Sequence, residues 1–163
     1  MLLFTVLGGV LAGCQTSGPV DESAFASEIP KGSSLILKQD LDVTPGAARV
    51  SMQKGKVVGQ PSSQVASCQL RSGQTATEDT PVVISADTFI TGAASRYYAN
   101  GSRNFNESVV FQTKIPLHSP QQPNVKFMYC DITGETTWTR HLTVAQIRET
   151  LGDIFELQLL SAN

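Results

Sequence analysis

Leu35-Ile36-Leu37-Lys38-Gln39-Asp40-Leu41-Asp42-Val43 is the stretch from which the fold is read. Leu35, Leu37, Leu41 and Val43 fall on one face at a period of two, with Gln39 the exception, and that period marks a half-buried strand. Pro45-Gly46 ends the element. Beyond it, Ala48 to Met52 and Lys56 to Val58 flank Gln53-Lys54-Gly55, with Val50, Met52 and Val57 apolar. This spacing predicts a hairpin in which glycine supplies the positive φ. A further strand is expected from Val65 to Leu70, with Cys68 and Leu70 turned inward.

After the turn-rich Ser72-Gly73-Gln74-Thr75, the segments Pro81 to Ile84 and Thr88 to Ile90 read as another strand or strand pair. Thr91 to Asn106 holds Gly92, Asn100, Gly101, Asn104 and Asn106 and is expected to be an exposed loop. Two more strands follow, Val109 to Leu117 and Val125 to Ile132, around the loop His118 to Pro123. One helix is predicted, over residues 143–151. Thr143 with Gln146 makes a capping box, Leu142 and Ile147 form a hydrophobic staple, and Gly152 supplies the stop. Val144, Ile147 and Leu151 share one face, so the helix should pack on a sheet, and Ile154 to Leu160 returns as a last strand. The expected fold is mainly β (α+β): an antiparallel sheet curled into a barrel or sandwich, with the single C-terminal helix over an end or face.

The N-terminus carries a different signal. Leu2 to Leu11 is an apolar run of signal-peptide length, too short to cross a hydrocarbon layer of ~30 Å as a helix. Leu11-Ala12-Gly13-Cys14 resembles the lipobox of bacterial lipoproteins. The resemblance implies cleavage before Cys14, a diacylglyceryl thioether on its sulfur and a further acyl chain on the new amino group. Two or more chains hold a protein stably, since each buried methylene contributes ~0.8 kcal/mol. No basic residue precedes Lys31, so the charged n-region of such a peptide would come from a start upstream of Met1. The alternative is a short apolar helix with a buried free cysteine. Gln15, where Asp in enterobacterial lipoproteins favours the inner membrane, implies the periplasmic face of the outer membrane. The expected organisation is a signal peptide at 1–13, a lipidated flexible tether at 14–32 rich in small residues, and one domain at 33–163.

Residues 1–13 carry no charge, so the mature chain keeps the formal net charge of −2. Without a basic excess there is nothing to pair with a phosphate backbone, and no nucleic-acid partner is expected. With Cys14 committed to lipid, Cys68 and Cys130 remain, separated by 62 residues. An oxidising compartment makes a structural disulfide the natural pairing, tying two distant strands; two free buried thiols are the alternative.

No chemistry of a catalytic kind is marked. His118 and His141 lack a further ligand at metal spacing, so no metal and no cofactor are expected. No Gly-x-Ser-x-Gly elbow exists, and Ser95, His118 and Asp131 form a triad only on paper. Glu78-Asp79 and Asp21-Glu22 read as solvated turn residues.

The segment Gly92 to Phe105 gathers Arg96, Tyr97, Tyr98, Arg103 and Phe105, a composition found at binding surfaces. It is either a binding loop or a hairpin loop whose aromatic residues cap the core. Gly92-Ala93-Ala94-Ser95-Arg96-Tyr97 also looks like a segment of periplasmic lysozyme-inhibitor lipoproteins. Thr88 to Ile90, Leu117 to Pro123, Tyr129-Cys130 and His141 to Gly152 are similar to uncharacterised proteobacterial envelope lipoproteins. The expectation is a non-enzymatic, lipid-anchored domain that binds or supports another envelope protein. The alternatives are a small-molecule or glycan-binding domain using residues 96–105 and Trp138, a lysozyme-inhibitor-like protein, and an envelope hydrolase.

Overall fold

A computed structural model describes residues 21–100, 108–135 and 139–161; Cys14, Arg103, Phe105 and Trp138 lie outside the described residues. The strands are β1 (Ser34–Leu37), β2 (Leu41–Val43), β3 (Arg49–Gln53), β4 (Lys56–Val58), β5 (Ser67–Ser72), β6 (Val82–Ile84), β7 (Asp87–Thr91), β8 (Ser95–Asn100), β9 (Ser108–His118), β10 (Val125–Glu135) and β11 (Phe155–Gln158), with helix α1 (Val144–Leu151) before the last. One antiparallel sheet of nine strands, in the order β11-β1-β7-β9-β10-β5-β3-β4 with β8 also paired to β9, curls into a half-barrel; β2 and β6 form a separate pair.

Alternation along each strand builds the core. Leu35 and Leu37, Val50 and Met52, Cys68 and Leu70, Phe89, Ile115 and Leu117, Met128 and Cys130, and Phe155 and Leu157 all point into the half-barrel and join one buried cluster. Helix α1 packs against β11 near one edge of the sheet and against β3 and β5 near the other, so it lies across the open side. Its buried face is Val144, Ile147 and Leu151. The capping box is complete: the Thr143 hydroxyl accepts from the Gln146 N–H, and the Gln146 side chain accepts from the Thr143 N–H at 2.9 Å. Leu142 and Ile147, the expected staple, are both buried.

The other end of the helix meets the β3–β4 hairpin. Lys54 and Gly55 take φ of 48° and 71°, so the turn has positive φ at both central residues. The Gly55 N–H donates to the carbonyl of Thr150 at 3.0 Å. Gly152, at φ 53° and ψ −139°, ends the helix against it, and a Cβ there would collide with the Gly55 Cα. Two glycines therefore let a turn and a helix end touch backbone to backbone.

Three expectations are corrected. First, Leu35 to Val43 is two strands rather than one. Its apolar residues are buried as expected, but Lys38 donates its N–H to the Ile154 carbonyl and the Asp40 carboxylate accepts from the Ala86 N–H, breaking the ladder at the exposed Gln39. Likewise β6 joins β2 while β7 joins β1 and β9, so the predicted pair is divided between sheets.

Second, the segment expected as an exposed loop from Thr91 contains strand β8, paired to β9 from Ser95↔Lys114 to Asn100↔Val109. Strands β7 and β8 follow one another beside β9, interrupted at Gly92–Ala94. The Gly92 N–H donates to the Pro116 carbonyl at 2.8 Å. Pro116 has no N–H to return, so the ladder cannot run through that point.

Third, the described part of the expected tether is not free chain. The N–H groups of Ala26, Val144 and Ala145 donate to the carbonyls of Leu142, Ala24 and Glu22, and Phe25 bridges Thr143. Ala26 and Ile29 are buried, which is why the segment docks. Folded structure thus begins by Glu22 rather than at Ser33.

Candidate binding face

The five residues proposed from the sequence for a binding loop are divided by the geometry of a strand, in which successive side chains leave opposite faces. Arg96 and Tyr98 stand opposite Thr113 and Phe111, whose side chains point inward, whereas Tyr97 stands opposite Gln112 on the outer side. Arg103 and Phe105 are outside the described residues.

On the inner side, Tyr98 meets the edge-on rings of Phe111 and His141 at centroid distances of 5.6 and 4.7 Å, and Arg96 lies 5.2 Å over the ring of Phe25. Tyr98 is 67% exposed while Phe111 and His141 are buried, so the tyrosine acts as a lid on them. Both nitrogens of His141 are buried with no hydrogen-bond partner. Burial, and secondarily the positive charge of Arg96, hold this imidazole below its ordinary pKa.

The outer side carries the larger array. Strands β3, β5, β10, β9 and β8 present Arg49, Arg71, Phe127 and Pro116 in one cross-strand row; Ser51, Gln69, Tyr129, Lys114 and Ser95 in the next; and Ser67, Asp131, Gln112 and Tyr97 in a third. A bulge between Val125 and Phe127 sets this phase, letting Val125 turn into the core while Phe127 and Tyr129 face out. The Lys114 ammonium sits 3.8 Å from the centre of the Phe127 ring and 5.8 Å from that of Tyr129. The Arg71 guanidinium lies 5.2 Å over Tyr129, and the two rings are 6.2 Å apart. Contacts of this type contribute ~0.5–1 kcal/mol each where exposed.

Polar groups surround the rings. Asp131 accepts from the Ser67 hydroxyl at 2.8 Å and from the Gln112 amide at 3.4 Å, and Ser95 donates to the Tyr97 hydroxyl at 3.2 Å. Arg49 stands directly opposite Arg71, a like-charge pair that opposes folding. Neither arginine, nor Lys114, forms an ion pair with a described carboxylate.

No family model, curated protein or solved structure matches the chain.

Ser95, His118 and Asp131 do not converge. Ser95 lies beside Lys114, whereas His118 is four residues farther along β9, ~13 Å away at strand rise, and Asp131 is two strands across. Among the described residues no three of His, Cys, Asp and Glu gather into a metal-sized cluster. Cys68 and Cys130 are brought together, directly opposite on β5 and β10 with their sulfurs at bonding distance; the strands they join are distant in sequence but neighbours in the sheet.

Arg49, Arg71, Lys114, Phe127 and Tyr129 are not singled out by motif or spacing. Each belongs to a different strand or to the polar phase of one, and only the register places them side by side. The available signal is the pair of outward aromatic residues, Phe127 and Tyr129, in a strand whose other phase already supplies the core.

Proposed function

We propose that this chain is a lipid-anchored envelope protein, held through Cys14 at a membrane facing the periplasm, with the outer membrane favoured, and that it acts by binding another envelope component. The lipobox-like Leu11-Ala12-Gly13-Cys14 supports the anchor. The observation that carries the binding reading is the outer face of β5, β10 and β9. There, two aromatic rings and cations that form no ion pair with a described carboxylate stand on a sheet surface, and the Arg49–Arg71 opposition sacrifices stability without serving the core.

Two measurements test this. Mass spectrometry of the N-terminus from a bacterial host should find acylated Cys14, and Cys14→Ser should release the protein from membranes; an unmodified chain beginning at Met1 defeats the anchor. A photo-crosslinking amino acid at Gln69 or Gln112 of the lipidated protein should yield a discrete adduct in intact envelopes, and one at the exposed Val83 of β6 should not. Equal labelling at all three positions, or none at the face, defeats the binding reading.

A further inference from the structure

We infer that the occupant of the outer face is an anionic glycan, a sugar chain carrying carboxylates, laid across β5, β10 and β9; this rests on the binding reading above. Three features of the face select that chemistry. The first is charge. Although the chain is net negative at −2, this face sets Arg49, Arg71 and Lys114 against Asp131, and Asp131 is already engaged by Ser67 and Gln112. The nearest other carboxylate in the same phase of β10 is Glu135, four residues along, ~13 Å away.

The second is the kind of polarity. Gln69 makes no hydrogen bond with a described residue, and the amide oxygen of Gln112 is likewise unengaged. Primary amides offer a donor and an acceptor side by side, the geometry that matches adjacent hydroxyls on a sugar ring. Tyr97, 47% exposed, adds a phenol at the β8 end. Phe127 and Tyr129 supply ring faces, with cations already seated beside them where a carboxylate would arrive.

The third is what the face lacks. Across β5, β10, β9 and β8 the three rows hold no Leu, Ile or Val, and Gln69, Gln112, Ser95 and Lys114 occupy places where a protein interface concentrates apolar area. A lipid surface asks for apolar insertion as well. The chain also enters the domain on the opposite side of the sheet, where Phe25 lies under Arg96, so a short anchor presents the other face to the membrane. A flat array of this kind fits an extended polymer rather than a single enclosed sugar.

The test uses the full chain with Cys14→Ser, titrated calorimetrically with an oligogalacturonate, with maltohexaose as the uncharged sugar and with oligoglutamate as the charged non-sugar. The oligogalacturonate should bind, and the other two should bind at least about tenfold more weakly. Lys114→Gln and Tyr129→Leu should each weaken it by about tenfold while leaving the melting temperature within about 3 °C, and Lys38→Gln, just past the end of β1 and away from the face, should leave glycan binding unchanged. Absence of oligogalacturonate binding, or binding that survives both face substitutions, overturns the inference. So does equal binding of oligoglutamate, which would point to an acidic protein partner. A face adduct at Gln69 or Gln112 without glycan binding leaves the binding reading standing and removes only the glycan; loss of both removes both.

Discussion

His141 shows how a residue can be silent in the text and costly in the fold. Its ring is buried between Tyr98 and Phe111 with neither nitrogen satisfied, so folding disfavours the charged form. An unfolded chain takes up a proton near the ordinary pKa of about 6.5. Because the folded pKa is lowered, the unfolded state binds more protons as pH falls through and below that value. Stability is therefore fully present above pH ~6.5 and is lost progressively on acidification. Melting temperatures taken from pH 7.5 to 5 should fall, and His141→Phe, which keeps an aromatic ring in place, should flatten that slope. An unchanged slope in the variant would show that other groups govern it. Nothing local in the sequence marks His141, because Tyr98, Phe111 and Arg96 reach it from strands thirty to forty-five residues earlier.

At the scale of elements, what was legible depended on how far the determining partner lay. The capping box, staple and stop of α1 occupy eleven consecutive residues, and the helix appears where they place it. The β3–β4 hairpin is equally local, with its turn at Lys54-Gly55. Strand β8 was hidden because Ser95-Arg96-Tyr97-Tyr98 alternate between a lidded cluster and an exposed face, and none of the four is aliphatic. Only its pairing to β9 makes it a strand. The meeting of Gly55 with Gly152 was also out of reach, since each glycine has a sufficient local reason to be there. Together they define a test. Gly152→Ala imposes a side chain on a glycine-type conformation and drives a Cβ into Gly55, so we expect a fall in melting temperature of roughly 5–10 °C. A fall no larger than that of an exposed helix substitution would mean the contact is not held in solution.

For the whole molecule, the curled antiparallel sheet followed from alternation and turn spacing, while its strand order did not. β9 and β10 are consecutive across a short loop, but β5 beside β10 and β7 beside β9 come from separated stretches, and no local rule pairs those. The cysteines were the one long-range clue, and they correctly join β5 to β10. A bond closing 62 residues restricts the unfolded chain by ~4 kcal/mol on the chain-entropy relation. Cys68→Ala with Cys130→Ala should lower the melting temperature by about 10 °C while far-ultraviolet circular dichroism stays unchanged. A drop of under about 2 °C would assign the two residues a packing role alone.

The stitching of Glu22 to Ala26 along residues 142–145 has a mechanical consequence for a chain held by lipid at Cys14. From Cys14 to Asp21 the covalent reach is ~25 Å, so the proposed lipid anchor would keep the domain close to the membrane. A pull away from that surface loads the stitch from its outer end, where Glu22 accepts from the Ala145 N–H and pairs with Arg148 at 3.1 Å. Each bond released in turn lengthens the leash, and peeling as far as Gly32 adds ~40 Å while exposing Ala26 and Ile29 to water. Reach toward a distant target is thus coupled to partial undoing of the core, and the domain trades rigidity for distance in proportion to the load upon it.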